Sequence, residues 1–142
     1  MTTTTITYVK TRKNRMTIVN ATPHKITILA NQNIEQDAKQ QFLANPEAVQ
    51  ILTEIPPSGL IARVSITNYP VGDIDGIPLQ SVIYGDIQGL PECEKGVYYI
   101  VSGLVAQAAS KIGRKDCLAP GALVRQKDNF SVILGCLFLQ KP

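Results

Sequence analysis

The chain has no tryptophan, one histidine and three cysteines among 142 residues, and these scarcities remove several kinds of chemistry at the outset. His24 is the single histidine, so a Ser-His-Asp or Cys-His pairing would have to use it. Cys93, Cys117 and Cys136 are odd in number, far apart and without a C-x-x-C pair, which argues against zinc. Cys117 and Cys136 stand in apolar surroundings, where a free thiol behaves as a small core hydrophobe. No apolar run reaches the ~18 residues of a membrane span. The longest candidate, residues 97–109, is broken by Ser102, Gly103 and Gln107. The threonine-rich start lacks the basic stretch, apolar stretch and cleavage site of a secretory signal, and the expected location is the cytoplasm.

Other patterns are missing as well. Gly89, Gly96 and Gly103 fit neither G-x-G-x-x-G nor a P-loop, so no dinucleotide fold or NTPase is supported. Asp73 and Asp75 beside Gly76 lack the further acids and closing glutamate of a calcium loop, and read as a hairpin turn. Glu92 and Glu94 read as solvated loop acids. The net charge of +3 owes its sign to Lys10, Arg12, Lys13 and Arg15, which add +4 in a stretch without acids. The remaining ten basic and eleven acidic residues leave −1, so no dedicated nucleic-acid surface is expected.

What is present is enough apolar material, 44% of residues, for one real core. Residues 1–16 read as a basic, flexible N-terminal extension and 17–142 as a single globular domain; Met16 is a candidate start of the working part. Alternating β-branched and polar residues predict strands over 17–21 and 25–29, turning at Thr22-Pro23-His24. In residues 31–54, Ile34, Ala38 and Phe42 fall at helical intervals and Asn45-Pro46-Glu47 repeats a helix start signal. These features predict a helical insertion over about 33–52. A turn at Pro56-Pro57-Ser58-Gly59 precedes a strand over 60–67, Asp75-Gly76 turns it, and 79–87 returns to Gly89-Leu90-Pro91.

The most apolar run, 97–101, suits a buried central strand. Leu104, Val105, Ala108 and Ile112 then fall at helical spacing, with Ser102 as N-cap, Lys111 in the last turn and Gly113 as the stop. They predict a helix over about 102–112. Residues 122–125 and 130–139 read as a final hairpin, turning at Lys127-Asp128-Asn129. The expected fold is mainly β within the α+β class, a small barrel or strongly twisted antiparallel sheet carrying one short helix.

Binding residues are sought where polar groups converge. A helix starting directly after a buried strand aims unpaired N–H groups outward, so Ser102 and Gly103 read either as an ordinary cap or as a phosphate site. Arg63, Arg114 and Arg125, with Lys115, could grip phosphate; Arg114 and Asp116 read equally well as surface charges. Tyr84, Tyr98 and Tyr99 offer a stacking face, although strand alternation sends one of the last two into the core. His24 reads as a turn residue or a ligand contact. The candidate ligand-binding set is therefore His24, Arg63, Tyr84, Ser102, Gly103, Arg114, Lys115 and Arg125, with no catalytic residue, metal ligand or cofactor.

Several motifs carry a resemblance. Asn20-Ala21-Thr22-Pro23-His24, Pro56-Pro57-Ser58-Gly59, Tyr84-Gly85, Gly89-Leu90-Pro91, Tyr99-Ile100-Val101-Ser102, Leu104-Val105-Ala106-Gln107-Ala108, Gly113-Arg114-Lys115-Asp116 and Gly135-Cys136 resemble a family of small, uncharacterised proteins of phages, prophages and bacteria. The match runs from Thr17 to about Leu139; residues 31–54 and the N-terminal extension depart from it. The resemblance implies a phage-linked context in the bacterial host cytoplasm and brings no established activity. In that context the expectation is a non-enzymatic, homo-oligomeric binding protein, an anti-defence sponge for a cyclic or ADP-ribose-derived nucleotide. The alternative is a structural or protein-interaction module, either a virion accessory part or an inhibitor of a host protein.

Overall fold

The computed structural model describes residues 6–10 and 15–142, with side chains from residue 16 onward. Of the expected N-terminal extension, Ile6–Lys10 forms strand β1, while 1–5 and 11–14, including Arg12 and Lys13, lie outside the described residues. The chain continues as β2 (Arg15–Asn20), β3 (Ile26–Leu29), β4 (Glu35–Gln36), β5 (Phe42–Ala44) and β6 (Ile51–Ile55). Then come β7 (Arg63–Ile74), β8 (Ile77–Gln88), β9 (Val97–Ile100), α1 (Gly103–Lys111), β10 (Cys117–Gln126) and β11 (Asn129–Gln140). The fold is mainly β with one short helix, as the alternation of residue types predicts.

The sheet is not closed into a barrel, nor is it purely antiparallel. Its path runs β1-β2-β9-β10-β11-β3-β6, with β5 also paired to β10 and β4 to β5. The pairs β2/β9, β9/β10, β11/β3 and β10/β5 are parallel. Parallel neighbours need a crossover, and α1 supplies one between β9 and β10. These strands are buried on the helix side, where Val19, Tyr99, Val101 and Cys117 pack with Val105, Ala106 and Ala109. Three small alanines on the inner face of α1, Ala106, Ala108 and Ala109, bring the helix close to the sheet. Burying residues such as Ile100 and Val101, both at 0% exposure, contributes roughly 2 kcal/mol each.

The predicted helical insertion is corrected: residues 31–54 contain strands β4, β5 and β6 joined by turns. The helical spacing of Ile34, Ala38 and Phe42 loses to tertiary pairing, because Phe42, Leu43 and Ala44 align beside Val124, Arg125 and Gln126. Ile34, Phe42 and Val49 then pack on a second cluster of Leu29, Ala44 and Val124. Local chemistry breaks a helix here too. Asn33 and Gln40 take left-handed conformations, at φ 60° and 66°. Asp37 turns its carboxylate onto the backbone N–H groups of Lys39 and Gln41. Asn45 accepts a bond from the Glu47 N–H, so the expected helix cap closes a turn instead.

β7 and β8 stand apart as their own two-stranded sheet. Asp75 and Gly76 make the turn, with Ile74 opposite Ile77. The base of this arm meets the body, through Val64 and Ile87 on the main core and through contacts with α1. No helix among the described residues is long and apolar enough to cross a membrane.

Candidate functional site

The motif residues Asn20 and Ser58 have their side chains committed to the architecture. Asn20 ends β2 at 0% exposure. Its Nδ2 donates to the carbonyls of His24, at 2.7 Å, and Ile55, at 3.0 Å. Its Oδ1 accepts from the Thr22 backbone N–H and hydroxyl. Ser58, also buried, donates its hydroxyl to the Asn20 carbonyl at 2.7 Å and accepts from the Leu60 N–H. The Asn20 amide thus ties the turn after β2 to the end of β6, and its backbone carbonyl ties in the approach to β7.

The predicted ligand-binding residues spread over several places. His24, exposed at the turn, lines a mostly apolar cavity of about 320 Å³ with Pro120, Leu123, Ile133 and Gly135. Gly103 lines a second cavity, of about 220 Å³, with Gln107, Ala119, Pro120 and Gln140; no cationic side chain is in its wall. Ser102 caps α1, its Oγ accepting from the Val105 N–H at 3.2 Å. Arg63 starts β7 opposite Gln88. Tyr84 lies under the Lys111 ammonium, 4.4 Å from the ring centroid. Arg125 donates to the Phe130 carbonyl at 2.8 Å, beside the turn that closes the β10–β11 hairpin.

Arg114 makes a two-pronged pair with Asp116, Nε to Oδ1 at 3.0 Å and Nη2 to Oδ2 at 2.6 Å. Both side chains are largely buried, at 15% and 12% exposure. Burial pushes the Asp116 carboxyl up, but hydrogen bonding and charge from Arg114 outweigh it and hold the group below its ordinary value. Burial, then the Asp116 charge, pushes the neighbouring Cys117 thiol up to about 11, so it stays protonated and inert as a nucleophile at neutral pH. Because the folded Asp116 carboxyl titrates below the unfolded one, its contribution to stability is full above pH ~4. It fades as the pH falls through the lower, folded value. In chemical denaturation across acid pH, the stability gap between the natural chain and Asp116→Asn is expected to narrow below pH ~4. A gap of constant size as the pH falls well below ~4 would contradict this.

Lys115 lines a shallow, open cavity with polar walls, about 380 Å³, between the turn before β9 and the loop after α1. Cys93, Glu94, Lys95, Gly96, Tyr98 and Asp116 share the wall. Strand alternation sends Tyr99 into the core beneath α1 and Tyr98 to the other face of the sheet, half-buried, where it borders this cavity and also an apolar one with Met16, Ile18 and Leu118. The Val97 N–H bonds the Glu94 carbonyl and Gly96 takes φ 79°, a tight turn that puts Lys95 in the same cavity wall as Lys115. Two ammonium groups, a phenol ring and a carboxylate can together take a phosphate, a base and a ribose hydroxyl. Lys95 was not among the sequence candidates; the signal for it was the Lys95-Gly96 turn directly ahead of the Tyr98-bearing strand. Among the described residues, no three His, Cys, Asp or Glu side chains are grouped to hold a metal ion. No family model, curated protein or solved structure matches the chain.

Proposed function

We propose that the chain is a non-enzymatic binding protein that captures a phosphorylated nucleotide, acting as a sponge for a cyclic or ADP-ribose-derived signal in the bacterial host cytoplasm. The observation that carries this reading is the cavity holding Lys95, Lys115 and Tyr98 together. Its volume falls in the range of small-molecule sites, ~300–1,000 Å³. Lysine binds phosphate as a point charge, and a ring at the rim stacks any base without demanding a particular sequence of donors. The Ser102 helix start and the arginines Arg114 and Arg125 give less support, since each already has a protein partner.

Calorimetric titration against cyclic dinucleotides, cyclic trinucleotides and cyclic ADP-ribose isomers is expected to show saturable binding by one class. The double variant Lys95→Ala/Lys115→Ala should weaken it about a hundredfold, the loss of two charge-assisted contacts of about 1.4 kcal/mol each. Heat-free titrations across the whole panel would overturn the proposal. The alternative reading, a structural or protein-interaction module, draws on the exposed β7–β8 arm.

A further inference from the structure

The arm formed by β7 and β8 has two faces of different kind. Residues directly opposite in an antiparallel pair share a face, and successive residues alternate. Val64 and Ile87 pack on the core, and the same face continues outward with the pairs Ile66/Tyr84, Asn68/Val82 and Pro70/Gln80. The other face carries Thr67/Ile83, Tyr69/Ser81, Leu79 opposite the bulge at Val71 and Gly72, and Ile74/Ile77 at the end.

That outer face bears no charge from Thr67 to Ile83. Ile83, Ile74 and Ile77 are 56%, 60% and 64% exposed, and Tyr69, Val71 and Leu79 are exposed beside them. Together these six side chains leave roughly 500 Å² of apolar surface uncovered, at the top of what a soluble monomer shows in one patch. A two-stranded ribbon with nothing packed on it is marginal by itself in water. Two such faces in contact would cover about 1,000 Å² of apolar surface before any polar rim is added, which reaches the size of a specific interface.

We propose that this face is a self-assembly surface, and that its occupant is the same arm of a second copy, packed antiparallel about a two-fold axis. Two features favour a second copy. Interfaces between identical chains are more apolar than those with transient partners, and this face lacks the charges that would select a different protein. The placement of the charges that do occur favours the antiparallel arrangement over a parallel one. Between Val64 and Gln88 the only charged residues are Asp73, Asp75 and Asp86, while Arg63 stands at the base on the outer face. Antiparallel packing keeps the tips with Asp73 and Asp75 apart and brings each toward the partner's base, where Arg63 and Asp86 stand. This inference does not rest on the ligand reading.

Sedimentation of the full chain at micromolar concentration and above tests it. The natural chain should sediment at twice the monomer mass or a higher even multiple, and Ile77→Lys/Ile83→Lys at half the natural mass with an unchanged circular dichroism spectrum. Gln80→Lys, on the opposite face of the same strand, should leave the assembly intact. With Cys93→Ser as background, Ser81→Cys near the middle of the outer face should form a disulfide-linked dimer on mild oxidation. A natural chain that stays monomeric overturns the proposal, as does a folded Ile77→Lys/Ile83→Lys variant that keeps the natural mass. A dimer whose Ser81→Cys variant cannot be linked overturns the antiparallel arrangement.

Discussion

Asn20→Ala is expected to destabilise the fold by about 3 kcal/mol, although it removes only one small polar side chain. Asn20 is fully buried and makes four hydrogen bonds through its amide, two given and two accepted. A single such bond contributes about 1 kcal/mol net, but a buried group left without its partner costs about 1–3 kcal/mol. The Ile55 carbonyl, on a residue 2% exposed, would lose that bond. Ser58→Ala should cost less, about 1 kcal/mol, because the Ser58 backbone N–H still bonds the Asn20 carbonyl at 3.0 Å. The two substitutions share a network, so their sum should differ from the double variant by more than about 0.5 kcal/mol. Urea denaturation of the three variants measures this. A cost below about 1 kcal/mol for Asn20→Ala would show that the amide does not hold the turn and the end of β6 together.

Gly89→Ala is expected to cost about 3 kcal/mol, the sum of a left-handed backbone and a collision. Gly89 sits at φ 80°, and a Cβ there would run into the carbonyl oxygen of Ile61, a backbone atom that cannot swing aside. Gly113→Ala separates the two contributions. Gly113 also has a left-handed φ, 84°, but nothing lies near its added Cβ, so only about 1 kcal/mol should be lost. Equal losses at the two positions would show that the close approach of Gly89 to Ile61 does not matter. On this account Gly89-Leu90-Pro91, one of the motifs behind the resemblance, is there because the chain must pass tightly over residues 61 and 62, with Leu90 packed against the main core.

The parts of the fold that sequence reveals are those decided locally. Ser102 capping α1, the Asp75-Gly76 turn, the turn at Lys127 and Asp128 and the buried run ending at Val101 all follow from neighbouring residues. Residues 31–54 misled because their periodicity is helical while their partners, Val124 to Gln126, lie eighty residues further on (about that many from Phe42). The parallel pairing of β2, β9 and β10 is likewise non-local. The site was legible only in part for the same reason. Lys115 and Tyr98 were visible as residue types, but their meeting with Lys95 depends on the crossover that brings the loop after α1 beside the turn before β9. Arg114 shows the converse: it looked like a phosphate grip, and its guanidinium is taken up by Asp116 two residues away.

Capture without turnover is the central claim, and native mass spectrometry of the purified full chain mixed with the nucleotide panel tests it most directly. The claim predicts a complex that survives transfer, releases the nucleotide on denaturation at its original mass, and is lost in Lys95→Ala/Lys115→Ala. A released species of altered mass, or no retained nucleotide from any member of the panel, would contradict it.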